Sequence, residues 1–151
     1  MTDRYDVVVV GAGIGGASLA WFLSERASVL LIEAETHPGL HSTGRSAAFF
    51  AETYGGPGVQ PLTTASKAFL FAPPEGFADG PLLTQRGALH IAGPDAHGVL
   101  DQMESAFRTS GVAIERLDAE GTSMRAPLLD PAWRQCGLWE PGCSDIEVAR
   151  L

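Results

Sequence analysis

An α/β fold opening on a parallel βαβ unit is predicted by three observations. Two β-branched, apolar runs, Tyr5–Val10 and Ser28–Glu33, carry the signature of buried strands. The first ends at a glycine cluster, Gly11–Gly16, and a stretch of helix-forming residues, Ala17–Arg26, separates the cluster from the second run. Strand, glycine turn, helix and strand within about 30 residues make two parallel neighbours joined by a right-handed crossover.

Beyond this unit, residues His37–Gly58 are rich in Gly, Ser, Thr and Ala and lack periodicity, which predicts a long loop with a short helix near Ser46. Leu62–Phe71 reads as a helix. Ala72–Gly80 contains Pro73, Pro74 and two glycines and must turn. Leu82–Ala92 has strand character, and Val99, Leu100, Met103 and Phe107 are spaced for one face of a helix over His97–Thr109, closed by Gly111. Val112–Leu117 reads as a strand, Asp118 opens a short helical turn, and Gly137–Glu140 is a strand before the Pro141-Gly142 turn. Ser144–Leu151 resembles a helix start, with Ser144 or Asp145 as cap and Glu147 in the first turn. A sequence that stops inside an element suggests a segment of a longer protein.

Composition narrows the function. With 45 % hydrophobic and 19 % charged residues the chain has a core to build, which argues against extensive disorder. A net charge of −8 and no basic run exclude a general nucleic-acid binder, because phosphate contact needs a basic face. The apolar stretch Val7–Leu23 is interrupted by glycines and follows Asp3, Arg4 and Asp6, so it is read as strand, turn and helix of a cytoplasmic protein rather than a span or secretory signal. Cys136 and Cys143, six residues apart, match no redox or zinc pattern and are read as a reduced pair. His37, His41, His90 and His97 place no two ligands on one predicted helix, and no metal site is expected.

Gly11-Ala12-Gly13-Ile14-Gly15-Gly16 fits G-x-G-x-x-G at the point where a strand opens into a helix. In that pattern the first glycine makes the tight turn, the second admits a pyrophosphate, and the third allows helix and strand to pack closely. The anion is met by free N–H groups and the positive end of the helix dipole, so no lysine is required. Glu33 ends the second strand twenty positions after Gly13, where a carboxylate accepts bonds from ribose hydroxyls and repels a 2′-phosphate. A Rossmann-like dinucleotide site follows, with Gly11, Gly13, Ile14, Gly15, Gly16, Glu33 and Ala34 as its binding positions. The fingerprint does not separate FAD from NAD.

The stretch His41-Ser42-Thr43-Gly44-Arg45-Ser46-Ala47-Ala48, together with the N-terminal fingerprint, resembles the FAD-dependent D-amino acid oxidase and dehydrogenase superfamily, most of all D-arginine dehydrogenase and related glycine/D-amino acid oxidases. The likeness continues through Tyr54-Gly55, Leu62–Phe69 and Pro81-Leu82-Leu83 and is loose after about residue 90. It implies FAD as cofactor, with Ser42, Thr43, Gly44, Arg45, Ser46, Ala47 and Ala48 wrapping the flavin. Small residues leave backbone N–H groups able to reach the cofactor, and Arg45 offers a permanent charge for an anion or, alternatively, a surface salt bridge. Tyr54 matches a tyrosine lying over the substrate and shielding the site, the other reading being a core aromatic.

Phe49 and Ala88 stand where the arginine-oxidising relative has a histidine and a glutamate, which points away from a cationic substrate and toward a neutral one. The implied reaction is hydride transfer from the α-carbon of an amino acid, of the D series in this family, to flavin N5, with oxygen or a quinone as electron acceptor. The implied layout is incomplete: 1–80 belongs to a FAD domain, 81–144 to the start of an α+β substrate domain, and 145–151 to a helix returning to the FAD domain. The missing C-terminal part, or a complementary subunit, would complete it. An NAD-dependent dehydrogenase and a non-catalytic dinucleotide-binding fragment are the alternatives.

Overall fold

The computed structural model describes residues 4–151. The chain divides into two compact units, one comprising Met1–Ala48 and Val148–Leu151 and the other Phe49–Glu147. In the first, β1 (Val7–Val10) pairs in parallel with β2 (Val29–Ile32), in the register Val7 to Val29 through Val10 to Ile32. The crossover is α1 (Ile14–Ser24), so the predicted βαβ unit forms with its helix starting inside the glycine cluster. The ladder runs one step past the strands, since the Gly11 amide donates to the Ile32 carbonyl at 2.7 Å. No residue of α1 is buried, although the helix is apolar on every side.

The second unit holds two three-stranded antiparallel sheets. In one, β8 (Ser144–Ile146) lies between β3 (Phe49–Phe50) and β4 (Leu83–Gln85). In the other, β7 (Gly137–Glu140) lies between β5 (Ala88–Ile91) and β6 (Glu115–Leu117). The helices are α2 (Gln60–Phe71), α3 (His97–Phe107) and α4 (Ala119–Arg125). Asp118 caps α4 through the Gly121 amide at 2.8 Å. Leu100 of α3 and Leu138 of β7 meet Ala92 in a small core, with Met103, Ile114 and Cys136 against it. Each such leucine stabilises the fold by roughly 1.5–3 kcal/mol relative to exposure.

Three expectations are corrected. The strand predicted over Leu82–Ala92 is two strands in different sheets, because Gly87 takes φ +77° and lies against the Trp139 indole. No helix forms near Ser46, where the chain makes successive turns, among them Gly44 to Gly39 at 2.7 Å and Arg45 to His41 at 3.0 Å. Ser144–Leu151 does not start a helix at Ser144. Ser144 and Asp145 pair on one side with Phe50 and Phe49 and on the other with Gln85 and Thr84, and only Val148–Arg150 coils, as a 3₁₀ turn. Two flanking strands outbid a local cap. The compact units part between Ala48 and Phe49, where β3 is tied to β8.

Candidate dinucleotide site

The glycine turn is assembled from residues far apart in sequence. Gly11 takes φ +97°, a conformation that strains any L side chain, and so makes the sharp turn off β1. A Cβ on Gly16 would lie 1.9 Å from the Gly11 carbonyl oxygen, so this glycine is required for packing of the turn against itself. Gly13 differs from both: its φ of −70° suits any residue, and the nearest atom to an added Cβ is Thr43 Oγ1 at 3.4 Å. Nothing lies within 4 Å of a Cβ on Gly15. Among these positions, alanine would strain the backbone conformation at Gly11 alone.

Helix α1 has no side-chain cap at Gly13. Thr43 folds back instead, its Oγ1 accepting the Ile14 amide at 3.0 Å, and the Gly39 amide donates to the Ala12 carbonyl at 3.1 Å. The amides of Gly13, Gly15 and Gly16 have no partner among the described residues. Three unsatisfied donors at the positive end of a helix, around glycines that leave room, fit a diphosphate.

Glu33 is more committed than its spacing suggests. Oε2 accepts the Ala12 amide at 2.7 Å, while Oε1 accepts the amides of Ala34 at 2.8 Å and Glu35 at 3.1 Å. These bonds, those from Glu35 and Ala12 foremost, hold its carboxyl below the ordinary range, with the charge of nearby His41 assisting. A carboxylate has about four lone-pair directions, so acceptor capacity remains for a ribose hydroxyl.

The other predicted positions are placed as follows. Ser42, Arg45, Ser46 and Ala47 are exposed, and Arg45 makes no ion pair among the described residues, so the surface-salt-bridge reading is not realised there. Ser46 Oγ accepts the Ala48 amide at 3.0 Å, and Ala48, at φ +42°, is the one non-glycine in the left-handed region among the described residues. Strain of this kind gathers at functional segments. Tyr54 belongs to the second unit; it is 73 % exposed, with its ring edge-to-face on Phe49 at 5.9 Å, and so is not a core aromatic.

A buried polar network has no counterpart in the sequence reading. Glu140, 1 % exposed, accepts the Glu52 amide and the Thr53 hydroxyl and faces His90. Burial pushes its carboxyl up, but bonds from His90, Thr53 and the 52–53 amides outweigh that and hold it below the ordinary range. Partners 50 and 87–88 residues away leave no local signal.

Residues 6–151 match the family described as DAO, FAD dependent oxidoreductase. The β subunit of sarcosine oxidase from Rhizobium meliloti (strain 1021) is 27 % identical over 131 residues, 84 % of this chain and 31 % of that protein. Among solved structures, glycine oxidase from Geobacillus kaustophilus superposes with a TM-score of 0.82 at 23 % identity, over 97 % of this chain and 42 % of its own. L-proline dehydrogenase from P. horikoshii superposes with a TM-score of 0.80 at 21 % identity, over 99 % and 40 %. The chain thus spans about a third of the curated relative's length. No helix among the described residues is long and apolar enough to cross a membrane. Between the two dinucleotides that the glycine fingerprint admits, the match decides for FAD: the chain belongs to the DAO family of FAD dependent oxidoreductases.

Proposed function

We propose that this chain supplies the adenine-dinucleotide grip and part of the substrate face of an amino acid oxidase or dehydrogenase that acts on a neutral amino acid of the D series. The observation that carries the reading is the trio of unpartnered amides at Gly13, Gly15 and Gly16 beside a charged Glu33. The amides bind the diphosphate and Glu33 orients the ribose. Thr43 keeps the helix end in place by capping Ile14. Arg45, free of ion pairs among the described residues, offers its charge to the cofactor, and the turns over Ser42–Ala48 present backbone N–H groups to it. FAD held there would supply the hydride acceptor for oxidation at the substrate α-carbon, while the protein contributes orientation and exclusion of water.

A neutral, apolar substrate side chain is supported by the groove beside Tyr54. It has a volume of about 320 Å³ and is lined by Phe49, Tyr54, Leu62, Leu70 and Ile146, with Thr63 and Ser66 as polar members. Among the described residues nothing cationic or anionic lines it, consistent with Phe49, one of the two departures from the arginine-oxidising pattern, in its wall. The acceptor for the electrons is oxygen or a quinone, and free Cys136 and Cys143 support a cytoplasmic setting.

The test is anaerobic incubation of the complete FAD-loaded protein with a panel of D- and L-amino acids while flavin absorbance is followed. Bleaching by apolar D-amino acids is expected. Bleaching by basic or L-amino acids alone overturns the substrate assignment, and tight FAD binding without any bleaching favours a non-catalytic role.

A further inference from the structure

The turn that carries Tyr54 is built on a carboxylate. Glu140 closes β7, and its side chain lies on the same face of the strand as the buried Leu138. Oε1 accepts the Glu52 amide at 2.8 Å and the Thr53 amide at 3.4 Å, and Oε2 accepts the Thr53 hydroxyl at 2.6 Å. The remaining direction is taken by His90 Nε2 at 3.1 Å, reaching diagonally across the β5–β7 pair, where His90 stands opposite Leu138 and Ala88 opposite Glu140. A carboxylate out of water is tolerated only when its acceptor positions are filled, and here three of four are filled from one turn.

The same turn is fixed from its other side. Glu52, itself 7 % exposed, receives Lys67 Nζ at 2.7 Å and the Thr64 hydroxyl at 2.6 Å from α2, and Gln60 Nε2 donates to Thr64 Oγ1 at 2.7 Å. Residues 52 and 53 are therefore held by main chain and side chain together. The next residue is Tyr54, whose amide closes the turn on the Ala51 carbonyl at 3.2 Å while its ring stands in solvent at the groove. Gly55 and Gly56, at φ +82° and +75°, let the chain leave toward α2. A rigid buried base under an exposed aromatic is the construction expected of a presented side chain rather than of a surface loop.

We propose that Glu140 is a positioning residue, which through the 52–53 turn sets where Tyr54 stands relative to the substrate. This rests on the reading that Tyr54 faces the substrate. A glutamine at 140 would fill the same space but turn an NH₂ group toward one set of donors, releasing either the turn or His90.

The experiment uses the complete FAD-loaded enzyme. Glu140→Gln is expected to speed hydrogen exchange at the Glu52 amide by about ten- to hundredfold, the scale of losing a bond to a buried charge. It should also raise KM for the amino acid by about tenfold, with kcat and flavin content little changed. Both effects should recur, more weakly, in Thr53→Val, which leaves the buried carboxylate in place should Glu140→Gln not fold. In a Tyr54→Ala background the KM effect should vanish, because there is no ring left to place. Unchanged exchange at 51–54, or a KM penalty that persists at full size without Tyr54, overturns the proposal. If no amino acid reduces the flavin of the unaltered enzyme, the functional reading fails instead, and the exchange measurement still reports whether Glu140 holds the turn.

Discussion

Gly13 and Gly16 sit three residues apart in one turn and answer to different demands. An added methyl at Gly16 meets a backbone oxygen at 1.9 Å, which only a shift of the turn could relieve, whereas at Gly13 it meets a hydroxyl at 3.4 Å. Gly16→Ala is therefore expected to destabilise the apoprotein by about 1–3 kcal/mol. Gly13→Ala should leave apoprotein stability within about 0.5 kcal/mol while weakening FAD binding by roughly tenfold or more. Denaturant melts and flavin-fluorescence titrations of the two variants separate these outcomes. Glu33 makes a pH prediction. Because its carboxyl is lowered in the folded state, its contribution is complete above the unfolded-state value, near 4.3, and is lost as pH falls from there through the folded value. Stability of the unaltered protein should thus drop more steeply on that acid limb than that of Glu33→Gln, which has no proton to take up. Parallel acid limbs would mean that the amide bonds to Glu33 do not persist in solution.

At the scale of elements, the strands most legible from sequence were those whose pattern and partner lie close by. The β1–α1–β2 unit announces itself through β-branched runs and a glycine fingerprint within about thirty residues, and β7 spans the predicted range Gly137–Glu140, ahead of its Pro141-Gly142 turn. The two-residue strand β3 and the strand β8 were not legible, since β3 is a strand only because β8, almost a hundred residues away, supplies its hydrogen bonds, and β8 takes its own from β3 and from the likewise distant β4. Ser144-Asp145 followed by Glu147 has the same local chemistry as a helix start, and pairing on both edges overrides it. The division between β4 and β5 turns on one residue. Gly87 combines φ +77° with an indole that an added Cβ would approach to 2.1 Å, and the guanidinium of Arg125 stacks on that same Trp139 ring at 3.8 Å. Gly87→Ala is expected to cost about 2–4 kcal/mol, strain and overpacking together, measurable as a lower denaturation midpoint with an unchanged slope.

At the scale of the whole molecule, apolar surface is concentrated on the dinucleotide unit. Val10 is 82 % exposed and Val8 52 %, while Leu19 and Phe22 of the all-round apolar α1 are more than half exposed. Faces of this kind mark surfaces that bind other groups. Residues 1–151 expressed on their own are therefore expected to bind a hydrophobic dye strongly and to self-associate, as light scattering after size exclusion would reveal; a dye-silent monomer would contradict this. What the sequence by itself determined is the β1–α1–β2 unit and its glycine turn: the strand runs and helix-forming stretch, with Gly11 and Gly16 between them, act through backbone conformation and close packing, which depend on spacing along the chain. Only the tertiary structure decided that Tyr54 is exposed on a turn anchored by Glu140 and that Thr43 caps α1. Those contacts join residues 29 to 88 positions apart, and hydrogen bonds between such partners exist only after the sheets that carry them have paired.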